Sequence, residues 1–193
     1  MSTKSTYYAP TGGLPPQTQM LSDRAIFTEA YAIIPKRVLT DIVISYLPFW
    51  EGMRMWVIAR PLTGFSETFS QYIVEVAPNG GSQKPELDMK AEAVLFVVEG
   101  EMDITIEGES HHLEAGGYAF LPPECKWTLK NNSDKHVKFH WIRKAYQFVD
   151  GIDAPEAFVT SDHDVEAIEM PGTDGVWKTT RFTEQSDMRH DMH

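Results

Sequence analysis

Cys125 is the chain's single cysteine and lies in Pro123-Glu124-Cys125-Lys126-Trp127. A neighbouring lysine can favour a thiolate and make it a nucleophile. A lone cysteine in a β protein is more often a small buried apolar group. One cysteine also leaves no intrachain disulfide and no thiolate zinc cluster. Histidine supplies the other candidate ligands. His111 and His112 are consecutive on an expected strand, where neighbouring side chains face opposite ways, so both do not enter one pocket. His136 and His140 share a strand face with Lys138 and could form a metal pair. The simpler reading, which the pattern favours, is an outward face opposite Val137, Phe139 and Trp141. His190 and His193 do not share a face of an extended segment, and His163, in Ser161-Asp162-His163-Asp164, reads as a solvated loop residue. Glu86, Asp88 and Glu92 form a carboxylate cluster suited to a hard cation, although an acidic chain produces such clusters by chance. The sequence holds no glycine-rich phosphate loop, no HExxH and no GxSxG. These residues assign no catalytic side chain, no cofactor-binding residue and no metal ligand.

The elements that must position them are short strands. The chain has 193 residues, with 17 basic and 28 acidic side chains giving a formal net charge of -11. That balance argues against a nucleic-acid backbone as partner. There is no secretory leader pattern and no apolar run of membrane-spanning length, so the cytoplasm is the expected location. Ala30 to Ile34, Leu39 to Tyr46, Met53 to Ala59 and Phe69 to Val76 read as strands punctuated by proline and glycine. Ala77 to Lys90 reads as a loop. Ala93 to Val98 is a short apolar run, and Met102, Ile104 and Ile106 alternate with polar residues as a half-buried strand does. Gly108-Glu109 is the expected turn, with His111 to Leu113 returning. Tyr118 to Leu121, Trp127 to Leu129 and Val137 to Ile142 follow. Tyr31, Tyr46, Phe49, Trp50, Trp56, Phe65 and Phe69 read as core or interface. Without sustained helical periodicity in the first 150 residues, the expected fold is all-β, a sandwich or jelly-roll barrel.

Residues Gly80 to Asn132 resemble a cupin barrel. The second cupin motif matches Gly117, Pro123, Cys125, Thr128 and Asn132, with Cys125 where the family has glycine and Thr128 where it has a metal-binding histidine. The first motif ends in Ala93 to Gly100, with Ala93 at the usual glutamate position and Glu92 one residue early.

A more specific likeness rests on Met20-Leu21-Ser22-Asp23-Arg24-Ala25-Ile26, on Gly116-Gly117-Tyr118 with Pro122-Pro123, and on Arg143-Lys144-Ala145-Tyr146 leading to Gly151. Together these resemble the bacterial ureidoglycine aminohydrolases, also called glyoxylate-induced proteins, from about Leu21 onward. The resemblance implies a bicupin that uses manganese to release ammonia from (S)-ureidoglycine, giving (S)-ureidoglycolate, as a homo-oligomer. It implies an irregular arm over residues 1–20, a first barrel over 21–150, a connector over 151–175 and the first strands of a second barrel over 176–193. It places the metal in the second barrel, on a Glu-x-His-x3-His run beyond His193. The matching first-barrel positions are Leu87, Met89 and Ala93, with Thr128 near the later ligand position. These apolar residues do not supply a hard N/O set, so the expectation is no Mn²⁺ in this chain and no turnover by it alone. The competing reading is a metal-free cupin that binds a small molecule or acts as a structural or regulatory partner. A third is a metal-dependent dioxygenase or isomerase. His136, His140 and Trp141 are the candidates for an oligomer interface.

Overall fold

The computed structural model describes residues 26–27, 31–35, 44–61, 68–184, 186–190 and 192. The expected arm over 1–20, most of the signature before Ile26, most of the strand from Leu39, and His193 lie outside the described residues.

The fold is an all-β jelly-roll barrel, as the strand pattern implies. Strands β1 (Ile26–Phe27) and β2 (Ala32–Ile33) form a small antiparallel pair. A nine-stranded antiparallel sheet holds β3 (Trp50–Ala59), β4 (Phe69–Ser82), β5 (Ala91–Glu99), β6 (Glu101–Ile106), β7 (Glu109–Glu114), β8 (Gly117–Leu121), β9 (Trp127–Lys130), β10 (Val137–Ala145) and β11 (Phe158–Ser161). Strand β10 lies between β4 and β5 and pairs with both along nearly its whole length. Strand β9 links β4 to β6, and β6 carries β7 at one end of the order. A separate two-stranded sheet pairs β12 (Ile168–Glu169), within the expected connector, with β13 (Lys178–Thr179), within the expected start of a second barrel. No helix among the described residues is long and apolar enough to cross a membrane.

Alternation decides which side chains enter the core. On β6, Met102, Ile104 and Ile106 are buried, and on β10 Val137, Phe139 and Trp141 are buried with them. Their polar neighbours turn outward, as a period of two requires. Strand β8 is buried on both faces. Ala119 and Leu121 join the core, while Tyr118 stacks on Phe182 at 4.3 Å and Phe120 meets His190 edge-on at 4.7 Å.

The segment expected to loop from Ala77 onward remains in β4 as far as Ser82, opposite Trp50 and Glu51. Asn79 and Gly81 take positive φ and let the strand bend without leaving the sheet. Gly81 also has no room for a side chain: a Cβ there would lie 2.2 Å from the Leu129 carbonyl oxygen of β9. Glycine spacing is ambiguous in sequence because a loop and a bulged strand both demand it.

Candidate metal centre

The hairpin of β6 and β7 turns at Glu107-Gly108, one residue earlier than the spacing suggests, with both residues at positive φ. That geometry matches the twist of a two-residue hairpin. It sets Glu101 opposite Glu114 and Asp103 opposite His112. These four side chains share the outward face, because Met102, Ile104 and Leu113 occupy the inward one.

Glu101, His112 and Glu114 each offer a ligand atom, all within 4.8 Å of one another. His112 Nε2 lies 3.8 Å from a Glu101 oxygen and 3.9 Å from a Glu114 oxygen. Both of these separations are within the span of about 4.2 Å that one divalent cation could bridge between two donors. The other ring nitrogen, Nδ1, is 2.8 Å from Asp103 Oδ1. Asn132 Nδ2 donates to the second Asp103 oxygen at 2.6 Å. A carboxylate holding one imidazole nitrogen so that the other faces the ligand position is the usual support of a metal-binding histidine. The side chains are open to solvent, His112 being 51% exposed. Mixed imidazole and carboxylate donors suit a divalent first-row cation.

The expectation that metal ligands belong only to a second barrel beyond this chain is therefore corrected. A donor set for a metal lies on this chain's own cupin domain. The reason it is hard to see in the sequence is physical. The nearest histidine to His112 along the chain is His111, on the opposite face, whereas the partners of His112 sit across the hairpin. Only the turn position, added to the period of two, brings Glu101, Asp103, His112 and Glu114 to one face.

The first-barrel positions that the resemblance matches to metal ligands behave differently. Leu87 and Met89 are exposed, and Ala93 is packed in the core. Thr128 faces outward opposite Thr105, while Trp127 and Leu129 point in. None of these four fits a metal ion. Glu86 and Asp88 pair with Arg143 at 3.4 and 3.3 Å, whereas Glu92 is fully buried on the other face of β5, near Tyr118. The expected carboxylate cluster is thus divided by the pleat.

The remaining candidates are scattered. Cys125 is half-buried, and burial, reinforced by Glu107, pushes its thiol up to about 11. It is a poor nucleophile at neutral pH. His140 is half-buried beside Gln71, 3.4 Å away, and desolvation lowers its pKa. His136 is exposed in the turn before β10, and His163 is exposed beside Asp162. His190 packs against Phe120 and Phe158. Trp141 belongs to the core and not to an outer contact surface, because it alternates with His140.

Comparison with known proteins agrees with the fold. A family model described as a cupin domain matches residues 72–143. A crystal structure provisionally named a glyoxylate-induced protein, from Pseudomonas aeruginosa, is 62% identical with a TM-score of 0.81, over 97% of this chain and 68% of that one. The (S)-ureidoglycine aminohydrolase of Escherichia coli strain K12 is 27% identical over 158 residues, or 81% of this chain. The chain spans 58% of that curated relative's length. The E. coli protein Ylba, 24% identical with a TM-score of 0.67 over 80% of this chain and 61% of that one, shares the fold.

Proposed function

The chain belongs to the glyoxylate-induced protein family of the cupin superfamily, and on that premise we propose that it forms part of a metal-dependent enzyme that hydrolyses a C–N bond with release of ammonia. The observation that carries the reading is the Glu101, His112 and Glu114 donor set, with ligand atoms within 4.8 Å. Three protein donors leave coordination positions open, the arrangement of a catalytic site more than a closed structural one. The curated relative's name, (S)-ureidoglycine aminohydrolase, supports the reaction class and gives a first compound to try.

A bound divalent cation supplies Lewis acidity, polarising a substrate oxygen or acidifying water. The chain's own groups do the rest. Glu101 and Glu114 furnish negative charge, and His112 presents Nε2 toward them. Asp103 fixes the imidazole orientation through Nδ1, and Asn132 fixes Asp103. Among the described residues the donor side chains are exposed, which suits a small polar substrate.

Calorimetric titration with Mn²⁺ and with Zn²⁺ reads this directly. One site per chain is expected, with affinity reduced at least tenfold in His112→Ala and in Glu101→Gln. Ammonia release from (S)-ureidoglycine should require both the cation and His112. Cation binding that is untouched by both substitutions would sink the reading, whatever the activity.

A further inference from the structure

The outward face of the large sheet carries a charge pattern that the hairpin chemistry does not use. Strands β3, β4, β10 and β5 run side by side. Their registers put Arg54 beside Glu75, Glu75 beside Lys138 and Lys138 beside Glu99. Val98 is an extra residue in β5, and the bulge it makes brings Glu99 to the face of Lys138. Lys138 Nζ lies 2.8 Å from Glu99 and 3.8 Å from Glu75. Met55, Val76 and Phe139, the next residues on their strands, are buried, so the row points away from the core. Across four strands it reads positive, negative, positive, negative. The next outward row pairs Trp56, Ile73, His140 and Phe96 in the same strand order. All four are half-buried, and Phe182 walls the band at Phe96, 6.0 Å away.

The charged row sums to zero in a chain with 28 acidic and 17 basic side chains. Two copies of so acidic a molecule repel each other over most of their surface, and a balanced face is where they approach at least cost. The order of the charges selects the way they meet. Turning the sheet over about an axis parallel to its strands, between β4 and β10, reverses the row. Arg54 then faces Glu99 of the second copy, and Glu75 faces its Lys138. The same operation sets Trp56 over Phe96 and Ile73 over His140. An axis along the row would instead set like charge on like, which disfavours association.

We therefore propose that this sheet face packs against a second copy of the chain, with β3 of each copy over β5 of the other. The contact is two-fold and self-complementary, so each pair occurs twice and the assembly closes at a dimer. It goes beyond the proposed metal chemistry and uses none of the hairpin donors Glu101, His112 and Glu114.

Sedimentation equilibrium of the 193-residue chain, with a chelator present so that no hairpin cation contributes, tests the pairing. The expected mass is twice 21.9 kDa. Arg54→Glu and Glu99→Arg should each weaken association at least tenfold. The double variant should recover most of that loss, because reversing both charges restores the match between copies. Within one chain the two positions lie three strands apart, about 14 Å, so recovery reads a contact between chains. Cross-linking decides the matter if a charge reversal fails to fold. Mixed Arg54→Cys and Glu99→Cys chains should join through a short bismaleimide more readily than either joins itself. A chain that stays monomeric overturns the proposal and leaves the face to a different partner. So does a dimer indifferent to both reversals, a double variant no better than the single ones, or cross-linking of like chains alone.

Discussion

His112 shows how neighbours set the behaviour of one side chain. Its hydrogen bond to Asp103 raises its pKa above the ordinary 6.5; desolvation opposes this, and the charges of Asp103, Glu101 and Glu114 add to the rise. The hydrogen bond from His112 lowers the Asp103 pKa in turn, helped by Asn132. A histidine raised in the folded state adds stability below its unfolded pKa and loses that contribution as pH rises through the folded value. The lowered aspartate loses its contribution as pH falls through its own folded value. The pair thus supports the fold most between the two. NMR titration should place the His112 midpoint above 6.5, and Asp103→Asn should bring it down. A native midpoint at or below 6.5 would remove the electrostatic basis for the hairpin site. Protons compete with metal for the imidazole, so cation affinity should fall as pH drops through that midpoint. The residue types of this cluster are visible in the sequence, but their meeting is not, because it depends on a turn that falls one residue before the position the spacing suggests.

Elements carry the next level of constraint, and glycine separates two kinds of it. Gly108 sits at φ 91 with nothing within 4 Å of the place a methyl would take, so Gly108→Ala meets only backbone strain. Gly81 combines φ 151 with a 2.2 Å approach to the Leu129 carbonyl. Thermal unfolding should show Gly108→Ala losing about 1 kcal/mol. Gly81→Ala should lose more than about 2 kcal/mol, because β4 and β9 must separate to admit the methyl. Equal losses would mean that close packing at Gly81 is relieved elsewhere. The same position explains why β4 is only half legible. The pattern over Phe69 to Val76 announces a strand, but glycine, proline and asparagine beyond it look identical whether the chain leaves the sheet or bends within it. By contrast, β6 and β10 are legible because their alternation directly reflects a buried and a solvated face.

At the scale of the whole molecule, the later segment is built onto the barrel. Phe182 stacks on Tyr118 and touches Phe96, and His190 rests on Phe120. Phe182→Ala should lower stability by about 1–2 kcal/mol, a partly buried ring's share of a large-to-small change. Cation affinity at the hairpin should be unchanged, since the two regions share no contact residue. A coupled loss of both would show that the segment supports the metal-binding face. The all-β class is legible from strand length and turn residues, and the cupin likeness from the motif residues Gly117, Pro123 and Asn132. The content of the barrel interior is not, since Trp50, Trp127 and Trp141 lie far apart in sequence and only the pairing of β3, β9 and β10 through β4 gathers them. That pairing has a temporal side as well. Strand β10 fills the gap between β4 and β5, yet the ribosome delivers it only after β5 to β9 have emerged. Until then the backbone edges of β4 and β5 that β10 will cover have no partner from it, and association between nascent chains competes with closure. The abundance of the folded protein should therefore depend on how quickly translation passes Val137–Ala145.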